Sequence, residues 1–171
     1  MGKDMDFQNY TYEQLFQFII NTFDYDKMYD AADELMKRSS TDQLIQLIEE
    51  LVFYEIIPQA LGELMKRSPQ KAYDLGMNIL IQNEGDQFLQ ACVWSSCFDF
   101  DDIQTVTLMC QRTIIMEWSL METVLLSIQY RYEADSFPPA FQKLIIDSYH
   151  NMPEEKQTAF SDMFNDFSAR F

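Results

Sequence analysis

Basic residues are scarce in this chain of 171 residues, with 12 Lys and Arg against 28 Asp and Glu, so the formal net charge at pH 7 is −16. A direct nucleic-acid ligand is disfavoured, because phosphate binding needs a basic surface. The basic pairs Lys37-Arg38 and Lys66-Arg67 stand at predicted helix ends, where the helix dipole favours cations. The charge therefore points to a basic protein partner, or serves solubility alone.

Long apolar runs are also missing. No stretch approaches the ~20 apolar residues that cross a membrane, and the first ten residues contain no apolar run. We therefore expect no membrane segment, no signal peptide and a cytoplasmic location. Cys92, Cys97 and Cys110 are odd in number and lie in apolar segments, which favours reduced core thiols over a disulfide framework.

Residues with the spacing of a catalytic or metal site are missing as well. The one histidine, His150, follows Asp147 by three positions, but no second histidine is present to complete a metal site. Cys92 and Cys97 do not have zinc spacing. No glycine-rich phosphate loop and no Gly-x-Ser-x-Gly elbow occurs. We therefore expect no enzyme, no catalytic residue, no metal and no cofactor.

What the chain does contain is a repeat. The hexapeptide Glu-Leu-Met-Lys-Arg-Ser occurs at 34–39 and again at 63–68, an offset of 29 residues (63 − 34 = 29). This is about the length of two helices and two turns, the unit of a helical solenoid. The apolar positions Leu35, Leu64 and Val93 continue the same offset, which predicts a third copy.

Apolar residues spaced three and four apart, the helical period, recur along most of the chain. Thr11 with Gln14 and Ser40 with Gln43 are typical of capping boxes, and Pro69 is suited to the first position of a helix. We predict about ten helices, no strand and one all-α domain over 1–171, an α-α superhelix of HEAT-like helix pairs. An irregular helical bundle is the alternative. The first predicted apolar face consists of Tyr12, Leu15, Phe16, Ile19, Ile20 and Phe23.

Acidic and aromatic residues alternate within 72–111, which contains no Lys or Arg, and again within 130–135. Carboxylates can steer a basic partner and aromatic rings can anchor it, so both stretches are candidate interfaces. The alternative, favoured for Phe88 and Trp94 because they follow the helical face, is that the acids cap helices and the rings form core. The candidate partner-binding residues are Asp86, Trp94, Phe98, Asp99, Phe100, Asp101, Asp102, Tyr132, Glu133 and Asp135.

With its paired segments at 31–39 and 60–69 and its 94–102 stretch, this small acidic helical chain resembles the HEAT-like immunity proteins of bacterial contact-dependent growth inhibition systems. The resemblance covers most of the chain in architecture, and no functional residue is carried over from it. It implies a stoichiometric inhibitor that occludes the basic active site of the C-terminal toxin domain of a secreted effector, often a nuclease. The alternatives are a helical-repeat protein-binding adaptor and an acidic nucleic-acid mimic.

Overall fold

The computed structural model describes residues 6–111 and 118–171. Over these residues the chain is all-α, with ten α-helices and no strand, which confirms the predicted helical-repeat class and the number of helices. The helices are α1 (Tyr12–Asn21), α2 (Tyr25–Arg38), α3 (Thr41–Glu50), α4 (Ile57–Arg67), α5 (Pro69–Gln82), α6 (Gln87–Phe100), α7 (Asp102–Gln111), α8 (Trp118–Arg131), α9 (Pro139–His150) and α10 (Glu154–Arg170).

The predicted capping boxes are present. The hydroxyls of Thr11 and Ser40 each accept a 3.2 Å hydrogen bond from the backbone N–H of Gln14 and Gln43. The glutamine side chains in turn accept 2.8 Å hydrogen bonds from the cap N–H groups. Each box therefore satisfies two backbone donors that a helix start would leave unpaired.

The chain forms two compact units, residues 1–75 and 76–171. In the first unit, α1 packs against α2, α3 against α4, and α2 against α4. In the second, α6 packs against α7 and α8, α8 packs against α10, and α9 packs against α7 and α10. The single domain expected over 1–171 stays a prediction.

The 29-residue register places an equivalent apolar side chain in a buried position in each copy. Leu35, Leu64 and Val93 are each 0% exposed. The third copy, inferred from the offset alone, therefore buries the same position as the two hexapeptides.

The arginine of each hexapeptide joins two neighbouring helix ends. Arg67, the last residue of α4, donates to the carbonyl oxygens of Met36 at 3.1 Å and Ser39 at 2.5 Å, at the end of α2. Arg38, the last residue of α2, donates in the same way to carbonyl oxygens of the short 3-10 helix and turn at 7–10. Since helix ends leave carbonyl groups without partners, each arginine satisfies them across the stack. We call these contacts the arginine clasps.

The glutamate that begins each hexapeptide holds the clasp in place. Glu34 lies 2.6 Å from Arg38, and Glu63 lies 2.8 Å from Arg67, each one helical turn earlier. Hydrogen bonds from Lys66 and Arg67 lower the pKa of Glu63 below its ordinary value. The arginines lie at helix ends, as predicted, but the carbonyl groups that they satisfy belong to the preceding element and not to their own helices.

The predicted apolar face of α1 is only partly buried. Leu15 and Ile19 are 0% exposed, whereas Ile20 is 40% exposed and Phe23, beyond the helix end, is 99% exposed. Adjacent residues of a helix point about 100° apart. When α1 directs Leu15 and Ile19 towards a neighbouring helix, it therefore directs Phe16 and Ile20 away from that helix. The placement of Phe23 on a core face is therefore wrong.

Candidate functional site

The C-terminal ends of α6 and α8 bring part of the predicted acidic and aromatic set together. These two helices pack against each other, and both end at the same edge of the second unit. We call the side chains that meet there the acidic cluster, which consists of Asp99, Asp101, Asp102, Arg131 and Tyr132.

Arg131 lies at the centre of the acidic cluster. Its Nη2 is 2.5 Å from Asp99 Oδ1, its Nη1 is 3.8 Å from Asp102 Oδ2, and its Cζ lies 4.7 Å above the ring of Phe98. The Tyr132 hydroxyl also donates to Asp102. One guanidinium group and one phenol thereby hold the Asp102 carboxylate, whose side chain is 24% exposed, while Asp99, 76% exposed, forms a surface ion pair with the same guanidinium group.

Tyr132 remains protonated at neutral pH. Burial, together with the hydrogen bond to Asp102, raises the pKa of Tyr132 to about 12, because both disfavour the phenolate. Its ring packs edge-on against Phe137 with 5.3 Å between centroids, which holds the hydroxyl towards Asp102. Tyr132 is therefore a positioned hydrogen-bond donor.

Two of the predicted acids cap helices. Asp101 accepts a 3.1 Å hydrogen bond from the backbone N–H of Gln104 at the start of α7. Asp86 accepts a 2.8 Å hydrogen bond from the N–H of Leu89 at the start of α6. Since α6 has 14 residues and a helix rises 1.5 Å per residue, Asp86 lies about 20 Å from the acidic cluster. The structure does not bring Asp86 to the predicted interface.

Trp94 and Phe98 belong to the core. Trp94 is 0% exposed and Phe98 is 2% exposed, and their rings stack with 4.7 Å between centroids. They are placed there because α6 turns one side towards α7 and α8, and large rings fill that space. The prediction that Trp94 and Phe98 contact a partner directly is therefore corrected. The alternative, that their rings form core, holds for both.

The other predicted residues are open to solvent. Phe100 is 42% exposed, and Glu133 and Asp135 are both exposed just beyond the end of α8. Tyr130, on the last turn of α8, is 87% exposed. Sequence reasoning placed Tyr130 in a candidate stretch without selecting it, since helical spacing alone did not show which side of α8 would face solvent.

A groove between α6 and α8 adjoins the acidic cluster, and sequence reasoning missed it. Two adjoining depressions of about 330 and 560 Å³ share Ser95. Tyr130 lines the first depression and Phe88 lines the second, and together the two depressions form the α6–α8 groove. Phe88 is 55% exposed, so the core alternative does not hold for it. The sequence feature that could have revealed this groove is a set of small residues at helical spacing on α6 and α8. Those that line the groove are Ala91, Cys92, Ser95, Thr123 and Ser127.

The histidine and the cysteines form no reactive arrangement. The Asp147 carboxylate is engaged by Lys143, and the His150 ring packs edge-on against Tyr149. Burial raises the pKa of Cys97 to about 12 and that of Cys110 to about 11. Over residues 6–111 and 118–171, no group of three or more His, Cys, Asp and Glu side chains is arranged to hold a metal ion.

Comparisons with family models, curated proteins and solved structures gave no match to this chain. Among the helices in the described part of the chain, none combines the length and the apolar character needed to cross a membrane.

Proposed function

We propose that this protein is an immunity protein, a stoichiometric inhibitor that covers the basic active site of a bacterial toxin domain. The observation that carries the proposal is the combination of the acidic cluster with Tyr130, an aromatic side chain 87% exposed beside it. Buried aromatic anchors surrounded by polar contacts dominate the energy of many protein interfaces. An exposed tyrosine at this position supplies such an anchor.

The local charge supports a basic partner. Asp99, Asp101, Asp102, Glu133 and Asp135 contribute −5, and Arg131 contributes +1, which leaves −4 at one edge of the second unit. The whole chain adds a field of the same sign. Such a field accelerates association with a positive surface, which favours rapid capture of a toxin.

The positions of the carboxylates matter as well as their number. A nuclease holds phosphate groups in a basic cleft, so an inhibitor gains from carboxylates that occupy the phosphate positions. Arg131 and Tyr132 hold Asp102 in place before binding. Groups ordered in advance lose less conformational entropy when a complex forms.

The α6–α8 groove favours a second candidate, a helical-repeat adaptor. Its small lining residues and the exposed ring of Phe88 suit an apolar side chain from a peptide or helix. The salt dependence of binding distinguishes the inhibitor from the adaptor. Capture of a basic cleft weakens as salt rises, whereas apolar anchoring in the groove is less sensitive to salt.

The direct experiment is co-expression and pull-down with the product of the gene immediately upstream, combined with a toxicity assay. We expect a complex with one copy of each protein and suppression of toxicity. Tight binding without suppression would remove the inhibitor proposal. Binding that persists unchanged at high salt would support the adaptor.

A pair of variants then tests the location of the interface. Tyr130→Ala combined with Glu133→Lys and Asp135→Lys should weaken the complex at least tenfold, about 1.4 kcal/mol. The matched control carries Asp162→Lys and Asp166→Lys on α10, which make the same change in net charge at exposed positions. An equal loss in the control would show that only overall charge matters and would reject the surface formed by Tyr130, Glu133 and Asp135 as the contact.

A further inference from the structure

We propose that a groove between α1 and α3, in the first unit, binds a basic amphipathic helix of a partner protein. The groove is a depression of about 220 Å³, separate from the α6–α8 groove and argued independently of the proposed inhibitor function. Its apolar lining comes from Tyr12, Phe16, Leu47 and Val52.

Leu47 of the groove lining is buried, at 7% exposed, but much of the remaining apolar surface of the groove is left outside the core. α1 buries Leu15 and Ile19, and turns a second stripe outward, with Tyr12, Phe16 and Ile20 spaced four residues apart. Ile20 is 40% exposed, and Val52 at the far wall is 45% exposed. A helix that is apolar on two sides needs a second covering surface, and among the described helices only α2 packs extensively against α1.

Among the described residues, the charged side chains that line the groove are both acidic, Glu13 and Glu50. The segments 6–26 and 39–57, which contain both walls, carry eight acidic residues (4 + 4 = 8) and no Lys, Arg or His, and two of these acids, Asp24 and Glu49, pair with lysines from outside the segments. A helix that covers the apolar stripe would therefore meet the carboxylates of Glu13 and Glu50. Charge complementarity selects Lys and Arg at those positions.

Two carboxylates on the groove itself have no cationic partner among the described residues. Glu13 accepts a 3.2 Å hydrogen bond from Gln17, and Glu50 accepts a 2.8 Å hydrogen bond from Gln46, and both donors are neutral amides. By contrast, Glu34 and Glu63 are paired with arginines. Glu13 and Glu50 are thus positioned to pair with cations brought by the partner.

A helix is the occupant that fits these features. An amphipathic helix lays its apolar face into a groove between two helices and leaves its flanking residues at the rim. A second copy of this chain is disfavoured, because two molecules of charge −16 repel each other. The groove therefore takes a helix with one apolar face and Lys or Arg on both of its borders.

The test uses fluorescently labelled model peptides of roughly 18 residues, five helical turns. The first peptide contains Leu and Lys with all Leu on one helix face. The second has the same composition in scrambled order, and the third carries Glu in place of Lys. Fluorescence anisotropy with the full chain should show saturable binding of the first peptide, and at least tenfold weaker binding of the other two.

Variants of the protein test whether the peptide binds in this groove. Glu13→Gln with Glu50→Gln should weaken binding of the Leu/Lys peptide about tenfold, and Val52→Ser should weaken it further. The matched control, Asp30→Asn with Asp74→Asn, removes two charges from exposed positions that do not line the groove and should leave binding unchanged.

Three results would overturn the proposal. These are no saturable binding of the Leu/Lys peptide, equal binding of the scrambled peptide, and an equal loss in the control variant. Circular dichroism of each variant confirms that the helices are intact, so a loss of binding cannot arise from unfolding. Changes in NMR chemical shift on Phe16, Leu47 and Val52 should accompany binding.

Discussion

Replacing Arg67 tests whether the arginine clasp stabilises the stack of helices. In Arg67→Ala, the carbonyl groups of Met36 and Ser39 at the end of α2 lose their donor, as does the Glu63 carboxylate. We expect the helices and apolar core of the first unit to keep their shape, because the guanidinium group lies at the helix ends and not in the core. The expected result is a loss of stability without a change of fold.

The size of the loss follows from the geometry. Two hydrogen bonds, at 2.5 and 3.1 Å, join Arg67 to main-chain oxygens, and a third contact, with Lys37, is long at 3.5 Å. A hydrogen bond from a charged donor contributes about 1.5–3 kcal/mol. The side chain is 28% exposed, so water replaces part of each bond and the lower value applies. Two bonds at about 1.5 kcal/mol each predict a loss of about 3 kcal/mol.

Urea denaturation followed by far-UV circular dichroism measures this loss. Arg67→Lys should lose about 1.5 kcal/mol, because one ammonium group cannot bridge both carbonyl oxygens as a planar guanidinium does. The matched control is Lys66→Ala, which removes the neighbouring cation from a side chain 75% exposed and should cost less than about 0.5 kcal/mol. If Arg67→Ala destabilises no more than Lys66→Ala, the clasp does not stabilise the stack.

Acid should weaken the clasp in a defined direction. The pKa of Glu63 is lowered from an ordinary value of 4.5, so its carboxylate form is favoured in the folded chain. Its contribution to stability is therefore complete above pH 4.5 and is lost as the pH falls through the lowered pKa. The difference in stability between the native chain and Glu63→Gln should shrink over that interval, and a difference that grows on acidification would contradict the pairing.

The remaining predictions concern the glycines, the thiols and the core. Gly85→Ala should destabilise by about 1 kcal/mol or more, because φ is +76° there and the added Cβ meets Leu89. Gly62→Ala, within α4 and with open space around it, should stabilise by about 0.5–1 kcal/mol; thermal melting of both variants checks the opposite signs. Cys97 and Cys110 should resist a thiol reagent at pH 8 until urea is added, since their pKa values are about 12 and 11; fast reaction of all three native thiols would contradict this. Trp94→Ala should lower stability by about 3–5 kcal/mol in urea titrations, and a loss below 1 kcal/mol would contradict its burial.

Much of the fold was predictable because its signals are local. The Thr11 and Ser40 boxes depend on residues three positions apart, and the 29-residue offset repeats one short pattern. These features act within a helix or between sequential helices, so they appear in the sequence directly. The burial of Val93 at the predicted third position follows from the same regularity.

The candidate sites were less predictable, because they depend on which charges and faces meet. Asp99 and Asp101 look alike in the sequence, yet Asp99 pairs with Arg131, 32 residues later, and Asp101 caps α7. In the same way, Trp94 and Phe88 both lie on α6, and only the packing of that helix buries one and exposes the other.

The sequence by itself determined that this chain is helical, repeated and strongly acidic, since each of these properties is a sum of local residue preferences and charges. Only the tertiary structure decided that the repeated arginines clasp the preceding helix end, and that Tyr130 and the outer stripe of α1 remain exposed. A helix with apolar residues on two sides can bury either of them. The neighbour against which it packs makes that choice, because burial is set by contacts between residues far apart in the chain.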